Sequence, residues 1–334
     1  MSREGEFLPI YTDKEGSAGL IAAQHVGVLG YGAQGRAHAL NLRDSGVSVK
    51  IGLYASSPRI ALAQKEGFEV CSVATCAQTC DLLACMLPDE IHAQVYTKEI
   101  APFLQSGQTL LFAHGFSVYF KQIQAPEGVG VILVAPKGPG YALRENYQQG
   151  SGLFALIAMQ QNNAQHNAKE LALSYACAIG SGRVGILQTT FKHEACSDLF
   201  GEQAVLCGGL VHLLENAFNT LLEAGYPGEL AYFECVHEIK LIADLIYHKG
   251  LARMQEHISN TAEYGGLVSG TKLVDAQSKA RMQEILGRIE NGDFARAFMQ
   301  EAKQGYTHLR ARQSALQHSP LETFGAHLRA HLFK

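Results

Sequence analysis

An α/β dinucleotide-binding domain followed by an all-α domain is what this 334-residue sequence predicts. Three observations lead there. Short, continuously apolar runs alternate with helical patterns through the first half of the chain. One of those runs leads directly into G-x-G-x-x-G. Beyond about residue 182 the strand-like runs give way to helical periodicity. Strands that are apolar on both faces, each followed by a helix, belong to a parallel sheet covered on both sides.

In order, residues 25–30 form an apolar run ending in glycine, and a helix is predicted over 34–44. Residues 47–53 are the next strand, with a helix over 59–66. Further buried strands are predicted at 81–87, 109–115, 129–136 and 153–159. The last strand-like run is 183–191. After it, 199–222, 230–253 and 278–291 repeat apolar residues at helical spacing. The flexible "GSGR" places the boundary there, giving a dinucleotide-binding domain over 1–182 and a helical metal, substrate and dimerisation domain over 183–328. The many glycines and apolar residues of the helical half point to burial against a second subunit.

The composition is that of a globular protein, 47% hydrophobic and 17% charged, and a net charge of −4 gives no footprint for nucleic acid or an anionic membrane. No stretch approaches 18 uninterrupted apolar residues, so no spanning segment is expected, and the N-terminal residues lack the apolar core of a secretory signal. The eight cysteines form no C-x-x-C and read as buried free thiols in a reducing cytoplasm.

The glycine loop carries the first functional reading. Gly30, Gly32 and Gly35 follow a strand and open a helix. Gly30 permits the tight turn, Gly32 the approach of a pyrophosphate, and Gly35 close packing of helix on sheet. A plain βα turn is the alternative. The second strand ends in "GLYASSPR", with no acid to hold a ribose 2′-hydroxyl. Ser56, Ser57 and Arg59 suit a 2′-phosphate instead, pointing to NADPH, unless they are simply a solvated loop.

Two acid pairs carry the second reading. In "YFECVHEIKLIADLIY" Glu234 and Glu238 fall on the same helical arc as Leu241, Ile242 and Leu245. Asp198 and Glu202 share an arc with Val205, Leu206 and Gly209. Like charges one turn apart on an apolar face are unfavourable without compensation. Helix-terminal acids or buried ion-pair partners would explain one such pair. Two pairs suggest a site for hard divalent ions, Mg²⁺ or Mn²⁺. His114 and Lys137 each end a strand, where ligands of open α/β sheets bind; a structural histidine is the alternative at His114.

These residues sit in "GYGAQGRAHALNLRDSG", "LPDE", "FAHGF", "VAPKGPG", "DLFGEQ", "EAGY" and "ISNTAEYG", and with them the chain resembles the short, class I ketol-acid reductoisomerases over nearly its whole length. The resemblance implies isomerisation and reduction of 2-acetolactate or 2-aceto-2-hydroxybutyrate with NADPH and two Mg²⁺. It implies a knotted, intertwined helical domain and at least a homodimer. Cofactor contacts would come from Gly30, Tyr31, Gly32, Ala33, Gln34, Gly35, Ser56, Ser57, Asp89 and Gly140. Asp198 and Glu202 would be metal ligands, completed by Glu234 and Glu238 of a neighbouring subunit. Ser259 would meet the substrate carboxylate; His114, Lys137 and Glu238 would be catalytic. The chain departs from the family at Tyr54, where arginine is usual, at Cys196, where an acid is common, and at Tyr141, where histidine is usual. Two other readings are a metal-free two-domain dehydrogenase of the 3-hydroxyacid or 6-phosphogluconate type, and a non-catalytic dinucleotide sensor.

Overall fold

The structure is a computed structural model that describes residues 7–332; the first six residues, part of the stretch expected to carry no secretory signal, lie outside the described residues. The chain divides into two compact units, residues 1–195 and 196–334.

The first unit is built on a nine-stranded sheet: β1 (Ile10–Tyr11), β2 (His25–Leu29), β3 (Ser48–Gly52), β4 (Glu69–Cys71), β5 (Leu82–Cys85), β6 (Thr109–Phe112), β7 (Gly130–Pro136), β8 (Ala155–Gln161) and β9 (Ile186–Gln188). Their spatial order is β1-β9-β8-β7-β6-β5-β2-β3-β4. From β4 to β7 every pairing is parallel, and the order reverses between β2 and β5. That is the doubly wound dinucleotide-binding arrangement, whose ligand crevice lies beyond the strand ends at the reversal. Apolar cores cover both faces. One, with Val26, Val28, Ile132 and Tyr175, lies under the helices Ala33–Asp44 and Ala168–Ala178. The other, with Leu83, Leu110, Phe112 and Leu133, lies under Val73–Thr79.

The sheet is not parallel throughout, as alternation alone predicts. β8 runs antiparallel to β7, with Ala135 opposite Leu156, and β1 antiparallel to β9. The segment after β7 forms the helix Gly140–Gln148 and then re-enters the sheet beside the end it left, so β8 runs back. β1 and β4 are two and three residues long, too short to register as periodic runs.

The unit boundary falls after Ala195, thirteen residues beyond the expected one (195 − 182). β9 pairs with β8 and so stays in the sheet, and Phe191 and Ala195, at 4% and 0% exposure, are buried with it.

The second unit is helical among the described residues, as expected. Its packed centre is Phe218, Ala231 and Tyr232, with Leu221, Val236, Leu321, Phe324 and Leu328 against them. Two of its long helices, Ile239–Gln255 and Asn260–Leu273, bury no residue. Tyr247, Leu251 and Leu267 are 85%, 70% and 69% exposed. The helical run Phe191–Glu223 is long and apolar enough to cross a membrane by length and composition alone. Glu194, Asp198 and Glu202 in it would be costly in lipid.

Candidate active site

At the reversal point of the sheet, Gly30 adopts φ +98°, a left-handed conformation that a side chain resists, and an added Cβ would lie 2.6 Å from Met86 O. A Cβ on Gly35 would lie 2.3 Å from Gly30 O, so the loop closes on the helix only with glycine there. A Cβ on Gly32 would meet nothing within 4 Å. Gly32 N-caps the helix Ala33–Asp44 without a side-chain bond, so its first N–H groups have no side-chain cap, as at anion-binding helix starts. Gly140 meets the same turn: its Cβ would fall 2.2 Å from Ala33 O, and Gln34 Nε2 donates to Gly138 O at 2.9 Å.

Tyr31 does not point toward the open side. Its ring is 2% exposed and packs edge-on to Phe68, and its hydroxyl donates to Glu66 at 2.6 Å. Glu66 also pairs with Arg36. Tyr31 can offer a ligand only its backbone. Ser57 is likewise drawn inward at 8% exposure, its Oγ accepting the Arg59 N–H at 3.3 Å. Tyr54, Ser56 and Arg59 are exposed around it.

A second cluster lies past the ends of β6 and β7. His114 Nδ1 is 3.3 Å from Asp89 Oδ2, so Asp89, read from sequence as a cofactor residue, also orients the histidine. Lys137 Nζ donates to Glu194 Oε1 at 2.9 Å, and the Gly115 N–H donates to Glu194 Oε2 at 2.7 Å. Glu194 is 1% exposed. A Cβ on Gly115 would meet Phe191 O at 2.7 Å, which explains glycine after His114. His114 and Glu194 bring ligand atoms within 4.8 Å of each other. Behind them His92 Nδ1 bonds Ser117 Oγ at 2.7 Å, and burial pushes its pKa down.

Sequence reasoning gave Glu194 and His92 no role. Glu194 stands four residues before Asp198 and eight before Glu202, a third acid at the same interval. That signal was present. His92 had none.

The two acid pairs differ from the expected picture. Glu202, Glu234 and Glu238 are exposed and Asp198 half-buried, rather than lying on a covered face. The reason is local. Glu202–Leu206 and Phe233–His237 are π-helical turns, which break the 100° phase, and Leu241, Val205 and Leu206 of the same arcs are exposed. No three of the four acids bring ligand atoms within 4.8 Å among the described residues, so a single chain does not assemble them. Glu234 and Glu238 form no ion pair among the described residues. Ser259 N-caps Asn260–Leu273, accepting the Ala262 N–H at 3.2 Å, and its hydroxyl proton remains available to a ligand.

A doubly wound sheet with a bare glycine loop at its reversal and a His–Asp, Lys–Glu cluster nearby defines a nucleotide-dependent oxidoreductase. The comparisons narrow the class. A family model for the acetohydroxy acid isomeroreductase NADPH-binding domain matches residues 20–185, and one for the ketol-acid reductoisomerase C-terminal domain matches 191–333. The chain is 53% identical over 323 residues to a ketol-acid reductoisomerase (NADP(+)) of Helicobacter pylori, covering 97% of this chain and 98% of that one. It is 49% identical to that of Campylobacter concisus, covering 96% and 94%. An NADH-preferring ketol-acid reductoisomerase from an uncultured archaean superposes with TM-score 0.93 at 43% identity, covering 97% and 99%. A semialdehyde dehydrogenase NAD-binding protein from Cupriavidus necator, at 17% identity and TM-score 0.63, shares the fold alone. The chain belongs to the ketol-acid reductoisomerase family and is an oxidoreductase-isomerase of that family.

Proposed function

We propose that this enzyme isomerises 2-acetolactate and 2-aceto-2-hydroxybutyrate and reduces the products to 2,3-dihydroxy-3-methyl acids, in valine, leucine and isoleucine synthesis in the cytoplasm. NADPH and two Mg²⁺ are its cofactors and a homodimer its smallest active form. The observation that carries the reading is Glu194, buried and held between Lys137 and the Gly115 N–H. It heads a run of acids that continues at Asp198 and Glu202.

The residues fit the metal. All four proposed ligands offer carboxylate oxygens, the donors Mg²⁺ prefers. Glu234 and Glu238 carry adjacent negative charge with no ion pair among the described residues. Their exposed apolar surroundings suit a second copy of the chain, which would bring them to the partner's Asp198 and Glu202. When bound, the ions supply polarisation of the substrate's hydroxyl and keto oxygens. NADPH supplies the hydride.

The chain's own residues do the rest. The glycine loop and the N-terminus of Ala33–Asp44 hold the pyrophosphate. Ser56 and Arg59, both exposed, would meet a 2′-phosphate, with no acid in the GLYASSPR stretch to repel it. Lys137, fixed by Glu194, presents a proton donor to an oxygen gaining negative charge. His114 is oriented by Asp89. Glu194 already accepts two hydrogen bonds, so the hydroxyl proton is assigned to exposed Glu238. Ser259 and the helix it caps receive the substrate carboxylate.

The test is NADPH oxidation with 2-acetolactate, with and without Mg²⁺. Turnover only with both supports the reading. Undiminished turnover of a 3-hydroxy acid in EDTA, or NADPH binding with no turnover of either acetohydroxy acid, refutes it.

A further inference from the structure

Three thiols lie beneath the two loops that begin the cofactor site. Cys71 ends the edge strand β4, and Cys76 and Cys80 lie one turn apart on the helix Val73–Thr79 and at its end. Cys71 Sγ and Cys76 Sγ are 3.3 Å apart. A disulfide is about 2.05 Å long, so the two sulfurs need to close by only about 1.3 Å. Cys71 is partly exposed and Cys76 fully buried behind it. An oxidant therefore meets Cys71 first.

The surroundings favour that order. Lys50 interacts electrostatically with Cys71 and Cys80 and is held by Glu69 at 2.9 Å. The neighbouring Cys76 pushes the Cys80 pKa down to about 7, while Cys80 and burial push that of Cys76 up.

The cluster also touches the loops mechanically. A Cβ on Gly52, the last residue of β3, would lie 3.1 Å from Cys76 Sγ. Gly52 O accepts the Gly30 N–H at 3.0 Å, and Cys71 O accepts the Leu53 N–H at 2.9 Å. Both the glycine loop and the 2′-phosphate loop hang from residues in contact with the thiol pair.

We propose that Cys71 and Cys76 are a hydroperoxide-oxidisable dithiol whose disulfide weakens dinucleotide binding. The second half rests on the cofactor reading above; the first does not. The Cys71 thiolate attacks a peroxide oxygen and, with one proton, gives the sulfenic acid and an alcohol or water. Cys76 sulfur then attacks the sulfenic sulfur, and the Cys76 proton passes to the departing hydroxide, which leaves as water. Two electrons pass from the thiol pair to the O–O bond.

The test treats the full-length enzyme with hydrogen peroxide, alkylates the remaining thiols and counts them by intact mass. Two of the eight thiols should disappear and return with dithiothreitol. Cys71→Ser should lose none, Cys76→Ser one at most, as the unresolved Cys71 sulfenic acid, and Cys80→Ser still two. NADPH titration should show Kd raised about fivefold or more in the oxidised wild type and unchanged in treated Cys71→Ser. Sulfinic acid in place of the disulfide, or two thiols still lost in Cys71→Ser, overturns the pair. A disulfide that leaves Kd unchanged overturns the coupling. Reduced enzyme that binds no NADPH sinks the cofactor reading instead, and the thiol count still decides the pair.

Discussion

Lys137 and Glu194 predict an asymmetry that the fold itself sets. Glu194 is 1% exposed, whereas the Lys137 side chain is 33% exposed. Lys137→Met leaves a buried carboxylate without its ammonium. Breaking such a pair typically costs about 3–5 kcal/mol. The Gly115 N–H, 2.7 Å away, still compensates part of the charge, which brings the expected loss to about 2–3 kcal/mol. Glu194→Gln keeps an acceptor for Gly115 and leaves the charge on the more exposed partner, which water can solvate. Its cost should be about 1 kcal/mol, discounted for screening. The assay is urea unfolding in metal-free buffer, with m-values compared to confirm that the same surface is exposed. The double variant should resemble Glu194→Gln, because removing both partners removes the uncompensated charge. Both single variants should lower kcat at least about a hundredfold, Lys137→Met by removing the proton donor and Glu194→Gln by releasing it from its position. A Glu194→Gln variant that is the less stable of the two would refute the reasoning and make Glu194 a purely structural acceptor.

Mixing Asp198→Asn with Glu238→Gln protein, after subunit exchange, should recover activity that neither parent shows; verified heterodimers that stay inactive rule out a shared site. Ser57→Asp can keep the turn, since an aspartate oxygen replaces the hydroxyl that accepts the Arg59 N–H. It should raise KM for NADPH about tenfold or more and spare NADH, from a lost contact worth roughly 1.5–3 kcal/mol; equal effects on both cofactors would contradict the loop's role. His38 is fully buried, and desolvation pushes its pKa down to about 3. Its folded value lies below the unfolded one, so stability falls as pH drops below about 6.5, by about 2 kcal/mol at pH 5. Unfolding at pH 7.5 and 5 checks this, and His38→Gln should reduce the difference by about that amount.

The strands of the sheet were legible because burial on both faces makes them continuous apolar runs, as in β5 and β6, where every residue is buried. The glycine loop was legible because Gly30 and Gly35 answer to backbone contacts that allow no other residue. Strand direction was not. β7 and the first five residues of β8 are both apolar, and the length and path of the segment between them make the pair antiparallel. Side-chain direction was not legible either. Tyr31 stands inside the fingerprint, yet its ring belongs to Phe68 and its hydroxyl to Glu66. Motif position located that backbone, and local packing decided what its side chain does.

The acid pairs show where a helical wheel departs from the structure. The wheel assumed one phase from Glu234 to Leu245. The structure inserts a π turn over Phe233–His237, with Glu234 inside it and Glu238 immediately after it as the N-cap of Ile239–Gln255. The other pair brackets a second π turn, Asp198 before Glu202–Leu206 and Glu202 at its start. A π turn sacrifices regular hydrogen bonding and is most often retained at functional sites. Two independent π turns, each placed at a pair of acids one turn apart, are poorly explained by helix stability, since straight α-helices would be cheaper. They are explained if each turn re-aims carboxylates out of an apolar stripe toward a common charge. The acids looked misplaced because the wheel put them where a regular helix would bury them; the chain departs from regular helix at those residues and leaves Glu202, Glu234 and Glu238 exposed.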